Sequence, residues 1–223
     1  MKITIQKNSM NILFDLDGTL TDSFEGITKC IFHAMTQLGK PVPPPETLGR
    51  CIGPPLKKSF ARLLDSQDDG LAEQALILYR ERFASVGLFE NRVYDHIPQV
   101  LGTLKGKGHN LYVATAKPEI YAKRIIRHFD LDKYFKHVYG SELDGTRTDK
   151  TTLIAHILDK ESLSADESVM VGDREHDMVG AGNNGLPGLG VLWGYGTREA
   201  LENSGAYACL DDPRELVDKI SYI

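Results

Sequence analysis

Short apolar runs alternate with helical patterns along most of this chain, and that alternation restricts the fold more than any other feature. The spacing predicts strands at 11–16 (Asn-Ile-Leu-Phe-Asp-Leu), 109–115, 135–139, 167–172, 188–193 and 206–210. Helical patterns fill most of the gaps, at 95–106, 118–129, 150–159, 175–184, 197–203 and 213–220. Strands that read as unbroken apolar runs are buried on both faces. Strands separated by helices join in parallel through crossover connections. The expectation is an α/β fold on a doubly wound, mainly parallel sheet. Asp95 is expected to cap one helix, while Pro118 and Pro213 sit where a first helical turn accepts proline.

Residues 23 to 92 break the alternation, showing helical periodicity and no strand. Helices are expected at 23–38, 55–65 and 69–86. In the last, Ala72, Ala75, Leu76, Tyr79 and Phe83 recur at three- and four-residue steps and give a one-sided apolar face. Such a stretch reads as a small helical domain, 23–92, inserted into a core of 1–22 and 93–223, with hinges near 21–23 and 91–94. It would form a lid over whatever lies beyond the first strand; the alternative is a helical layer packed permanently on the sheet. The proline-rich stretch from Pro41 to Pro45 reads as a rigid connector.

Directly after Ile12-Leu13-Phe14 comes Asp-Leu-Asp-Gly-Thr-Leu, residues 15–20. Residues two apart on a strand project to the same side, so Asp15 and Asp17 would share one pocket. Two carboxylates ~4 Å apart repel by about 4 kcal/mol at an effective dielectric near 20. With no cation beside them in sequence they are a poor structural choice but a good seat for a hard cation such as Mg2+. A second strand delivers Gly172 and Asp173, with Asp177 four residues later. In doubly wound sheets ligands gather at the C-terminal strand edges, where Asp15, Asp17 and Asp173 would meet around one metal. Thr115 ends a third strand, offering a hydroxyl and the neighbouring amides of Ala116 and Lys117 to an anionic oxygen. Lys150 opens a helix within reach of the same edge. Lys117 either contacts that anion or simply precedes Pro118. Gly172 reads as backbone clearance. Arg50, Gly53 and Lys57 flank Pro-Pro-Leu, a turn that would close cations over an anionic substrate, or else a tight connector. His176 is expected to be exposed, and the Trp193–Gly196 loop to serve packing.

These motifs, in this order, resemble the phosphatase branch of the haloacid dehalogenase-like hydrolase superfamily, and the helical insertion resembles its C1-type cap. Segments 51–60 and 140–150 look most like its phosphoglycolate phosphatase and 5′-nucleotidase-like group. The resemblance implies a Rossmann-like core and Mg2+-dependent hydrolysis of a small phosphorylated metabolite, a 5′-nucleotide or 2-phosphoglycolate. It implies Asp15 as the nucleophile that becomes an aspartyl-phosphate and Asp17 as the general acid and base. It further implies Mg2+ held by Asp15, the Asp17 backbone carbonyl and Asp173, a phosphoryl clamp of Lys150 and Thr115, and an orienting role for Asp177. A β-phosphoglucomutase-like phosphotransferase would keep the same carboxylate pair. The dehalogenase branch does not keep the second aspartate. A phospho-accepting signalling module would lack both the inserted helices and Asp17.

Bulk properties narrow the partners. A length of 223 residues suits one large domain or a core with an insertion. A net charge of −5, with the 26 Lys and Arg scattered, argues against a nucleic acid polymer or a membrane surface. Cys30, Cys51 and Cys209 lack Cys-x-x-Cys spacing, which suggests reduced thiols and a cytoplasmic setting. The N-terminus shows no apolar leader, and no stretch approaches membrane-spanning length. No sequence feature sets an oligomeric state.

Overall fold

The computed structural model describes residues 9–66 and 68–223. The first eight residues, read above as lacking an apolar leader, lie outside that range. The described chain opens with β1 (Asn11–Phe14), then leaves through β2 (Thr21–Asp22), α1 (Phe24–Gln37), a 3-10 turn at Pro45–Cys51, α2 (Leu56–Leu63) and α3 (Asp69–Ser85). It returns through β3 (Arg92–Val93) and α4 (Ile97–Gly106) to β4 (Asn110–Pro118), then α5 (Glu119–His128) and β5 (His137–Ser141). The remainder runs α6 (Lys150–Glu161), β6 (Ser168–Gly172), α7 (Glu175–Asn183), β7 (Gly188–Val191), α8 (Arg198–Asn203), β8 (Ala208–Leu210) and α9 (Glu215–Ile220).

Among the described residues, six strands form one parallel sheet in the order β5-β4-β1-β6-β7-β8. Every residue of β1 and β6 is buried, because each is central and helices cover both faces. Ile12, Phe14, Val113 and Val171 pack into one apolar layer, while Leu13, Tyr112, Leu153, Ile154 and Met170 build the other. Burying a side chain of this size contributes about 1.5–3 kcal/mol.

The departures from expectation are local. The first strand stops at Phe14 rather than Leu16, because the chain turns: the Leu16 carbonyl accepts from the N–H groups of Leu20 and Thr21 at 2.9 and 3.0 Å. The segment near the hinges is not strandless. Thr21 pairs with Val93 and Asp22 with Arg92 in a two-residue antiparallel ribbon, too short to show a period. His96, not Asp95, stands at the N-cap of α4, in the left-handed region at φ 66°. Pro45 at the end of the proline stretch opens the 3-10 turn.

The helices between β2 and β3 pack on one another along the expected face: Ala72, Ala75, Leu76, Tyr79 and Phe83 of α3 are all buried. Asp68 caps that helix by accepting from Gly70 N–H at 2.9 Å. An aromatic row runs from Phe60 to Tyr79 to Phe83 and on to Tyr121 of α5, with ring centroids 6.1, 5.2 and 5.4 Å apart. It ties α2 and α3 to α5 of the sheet domain by edge-on and stacked contacts. No helix of the described residues is long and apolar enough to cross a membrane.

Candidate active site

Register brings the motifs to one height. Phe14 pairs with Val113 on one side and Val171 on the other, so Asp15 and Asp173 leave the sheet close to the height of Thr115. Thr115 itself does not end its strand, because β4 runs on to Pro118. β1 and β6 are neighbours where the chain reverses its winding direction, the position at which doubly wound sheets open a crevice. The backbone holds this edge closely. Asp15 N–H donates to the Val171 carbonyl at 2.9 Å. Gly18 has φ +83°, and a Cβ there would lie 2.2 Å from Asp173 Oδ2. A Cβ on Gly172 would lie 2.3 Å from Asp177 Cγ, so the expected backbone clearance is real and serves Asp177. Only glycine lets the two acidic motifs press together at Gly18, and lets Asp177 fold back onto its own motif at Gly172.

The acidic doublet has no cation beside it in sequence, but the fold brings two to it, Lys150 among them as its expected place near this edge implies. Lys150 Nζ lies 3.0 Å from Asp15 Oδ1 and 2.6 Å from Asp177 Oδ1, and donates to the Ala114 carbonyl at 2.7 Å. Lys117 Nζ lies 2.9 Å from Asp17 Oδ2 and 4.6 Å above the Phe83 ring. The fold supplies from 100 or more positions away what the local sequence lacks. Lys150 is 1% exposed and occupies the first turn of α6, where a cation opposes the helix dipole; its carboxylate partners account for that placement. Burial acts to lower its proton affinity, but the charges of Asp15 and Asp177 outweigh this and hold it above the ordinary lysine value.

Asp15, Asp173 and Asp177 each bring a carboxylate oxygen within 4.8 Å of the others. Asp17 does not join this trio by its side chain, which turns to Lys117. Burial, then the charges of Asp15 and Asp177, push the Asp173 carboxyl well above the usual range. Burial likewise raises Asp177, against the pull of Lys150. Asp173 Oδ2 accepts from Tyr195 N–H at 2.8 Å, while its Oδ1 is buried with no hydrogen-bond partner among the described residues. An orphaned buried carboxylate oxygen facing two further acids is the donor set a hard divalent cation takes.

Above this floor lies a cavity of about 700 Å³. Its walls include Asp15, Asp17, Thr115, Ala116, Lys117 and Lys150 from the sheet edge, and Lys57, Leu56, Leu76, Tyr79 and Phe83 from the inserted helices. Lys57 is engaged by Asp69 and Glu73 at 2.9 and 3.2 Å. Arg50 is exposed and outside the lining; its guanidinium donates to the Thr47 carbonyl at 3.1 Å. Thr115 Oγ1 accepts from Lys117 N–H at 3.2 Å, which folds residues 115–117 into a small nest. Three participants escaped the sequence reading. Ser141 holds that nest by donating to the Ala116 carbonyl at 2.8 Å. Tyr195, besides its amide bond to Asp173, donates its hydroxyl to Asp22 Oδ1 at 2.8 Å. His176 is not exposed: it lines the cavity.

The haloacid dehalogenase-like hydrolase family pattern matches residues 12–191. The chain belongs to this family. A 5′-nucleotidase of Pseudomonas aeruginosa is 50% identical over 202 residues, 90% of this chain and 91% of that protein. The Mycobacterium tuberculosis tyrosine-protein kinase PtkA is 35% identical over 209 residues, 92% of this chain and 71% of the relative. A solved structure from Clostridium acetobutylicum, described as a predicted phosphatase, has a TM-score of 0.92 at 41% identity, covering 97% of this chain and 100% of that one. The haloacid dehalogenase-like chain is accordingly a phosphatase with a parallel six-stranded core. Hydrolases of this family generally use Mg2+, and the buried aspartate trio matches that preference.

Proposed function

We propose that this chain is a Mg2+-dependent phosphomonoesterase for small phosphorylated metabolites, with 5′-nucleotides as the favoured substrates, working through a phosphorylated Asp15. The observation that carries the reading is the pairing of buried Asp15 with Lys150 beneath a 700 Å³ cavity. Asp15 attacks phosphorus and the ester oxygen leaves. Asp17, steadied by Lys117 through Oδ2 and with Oδ1 unpartnered among the described residues, gives that oxygen a proton. It then takes a proton from the water that cleaves the aspartyl-phosphate. Lys150 and the Thr115–Lys117 nest bind the phosphoryl oxygens. When bound between Asp15, the Asp17 carbonyl and Asp173, Mg2+ supplies electrostatic stabilisation of the developing phosphoryl charge. Asp177 fixes Lys150 in place.

The substrate preference rests on the cavity wall. Leu56, Leu76, Tyr79 and Phe83 are apolar or aromatic. Two of the nearby cations are engaged, Lys57 by two acids and Arg80 by the Leu143 carbonyl at 2.8 Å, while the exposed Lys58 also borders the cavity. That wall suits a nucleobase better than the second carboxylate of 2-phosphoglycolate. Residues 23–92 serve as the cap. Three guanidinium-to-carbonyl contacts, Arg80 to Leu143, Arg124 to Ala84 and Arg174 to Ile52, bridge cap and core at 2.8–2.9 Å, a closed arrangement over the site. The three cysteines are unpaired, in keeping with a cytoplasmic enzyme. A panel of nucleoside monophosphates and 2-phosphoglycolate, assayed with Mg2+, tests the reading; exclusive turnover of 2-phosphoglycolate overturns the preference.

Two outcomes follow here. Mg2+ at 100 times its Kd raises unfolding free energy by about 2.7 kcal/mol, read as a higher Tm, and chelation abolishes turnover. The Tm gain is smaller at pH 5 than at pH 7, because protons compete for the raised Asp173 carboxyl. An unchanged Tm at pH 7 argues against the cation seat. Asp17→Asn slows turnover on the order of 10²–10⁴-fold, and rapid-quench traces show the phosphoenzyme decaying more slowly. Undiminished decay removes Asp17 from the second half-reaction.

A further inference from the structure

One polar group in the cavity wall has no part in the chemistry above: the imidazole of His176, on the first turn of α7. Its Nε2 is buried and has no hydrogen-bond partner among the described residues, yet the residue lines the cavity. Burying a polar nitrogen unpaired is costly, so such groups persist where a ligand completes them. Cap backbone packs against the ring edge and supplies no polar partner to Nε2 among the described residues. Gly53 of the cap has φ +99°, and a Cβ there would lie 3.2 Å from His176 Cε1 and 3.5 Å from Nε2. The adjoining Ile52 carbonyl accepts from Arg174 Nη1 at 2.9 Å, fixing the cap loop at the same point. His176 therefore stands at the seam, where the cap's backbone and not a side chain faces it.

Its position says what it touches. Asp173 and Asp177 flank it in sequence, so the ring rises from the core floor that holds the phosphoryl group, whereas Tyr79 and Phe83 come from the cap. The part of a substrate within its reach lies between the ester oxygen and whatever rests on the aromatic wall. A hydroxyl both donates and accepts, so it satisfies Nε2 in either neutral tautomer.

We propose that His176 is a substrate-binding residue that hydrogen-bonds a sugar hydroxyl of the leaving group and so selects sugar phosphomonoesters such as ribonucleotides. The assignment rests on the hydrolase reading above. The test compares His176→Ala and His176→Gln with wild type on ribonucleoside 5′-monophosphates, their 2′,3′-dideoxy counterparts and p-nitrophenyl phosphate, all with Mg2+. His176→Ala is expected to lower kcat/KM for the ribonucleotides about tenfold, chiefly through KM. It leaves the dideoxynucleotides and p-nitrophenyl phosphate within about twofold, because they offer no hydroxyl. His176→Gln, whose amide also donates and accepts, recovers part of the loss. Equal losses on all three substrates, or no loss on any, overturn the proposal. Calorimetric binding of a ribonucleotide to Asp15→Asn, with and without His176→Ala, separates the two levels. Absent hydrolysis by wild type with binding still weakened by His176→Ala sinks the hydrolase reading and leaves the contact standing. Binding indifferent to His176→Ala sinks the contact.

Discussion

Asp15→Asn eliminates turnover while the protein stays folded. Asparagine keeps the size of the side chain and can still accept from Leu16 N–H, which reaches Asp15 Oδ1 at 2.7 Å, but its amide oxygen cannot form a stable phosphoryl adduct. Removing a nucleophile of this kind costs at least about 10⁴-fold in kcat. Structurally the change is mild, because three buried carboxylates crowd one buried ammonium. Losing one negative charge eases the repulsion that raises Asp173 and Asp177, so Tm holds or rises. Turnover of p-nitrophenyl phosphate, Tm and mass spectrometry of acid-quenched protein check this together. Wild-type rates in the variant, or a wild-type phosphoryl adduct that maps to a residue other than Asp15, remove Asp15 from its role.

Lys150→Met gives the largest loss of stability. Methionine fits the space, but Asp15 and Asp177 lose their buried cation and the Ala114 carbonyl loses its donor. Breaking a buried pair from one side costs about 3–5 kcal/mol, or roughly 6–20 °C in Tm for a chain of this length. Lys150 is held above its usual value when folded, so its contribution is whole below about pH 10.4 and fades only as pH rises through the folded value. A neutral assay therefore sees all of it. The raised carboxyls run the opposite risk. Their folded forms bind protons more tightly than the unfolded chain does, so their contribution falls as pH rises from about 4 through the folded values. Acidification lets Asp173 and Asp177 take up the missing charge, and the gap between variant and wild type narrows from pH 7 to pH 5. Turnover drops on the order of 10²–10³-fold as well, as when a preorganised charge donor is lost. Tm within 1–2 °C of wild type at pH 7, roughly what a conservative surface change gives, contradicts this account.

What the sequence reveals and hides follows from distance. The strands that deliver Asp15, Thr115 and Asp173 were legible because central parallel strands are buried on both faces and read as plain apolar runs. The face of α3 was legible because its period survives over about three turns, from Ala72 to Phe83. The β2–β3 ribbon was not, since two residues carry no periodicity. The cations of the acidic doublet were legible only as neighbours: Lys150 reads as within reach of the same edge, but its pairing with Asp15, and that of Lys117 with Asp17, arise only after crossovers set strand order. The same holds for Tyr195, whose amide reaches Asp173 from a loop that reads as packing. Arg50 illustrates the converse. Its neighbours suggest a cation over an anion, yet the 3-10 turn carries it outward to Thr47.

The ribbon has a consequence for re-engineering. Because Thr21 faces Val93 and Asp22 faces Arg92, the excursion between them starts and finishes at a single point, stapled by Arg92 to Asp22 at 2.8 Å. The loop that carries Asp15 and Asp17 is closed before the excursion begins. Whole modules of different length or shape can therefore be spliced between those two rungs, retargeting the enzyme without disturbing the register of its sheet.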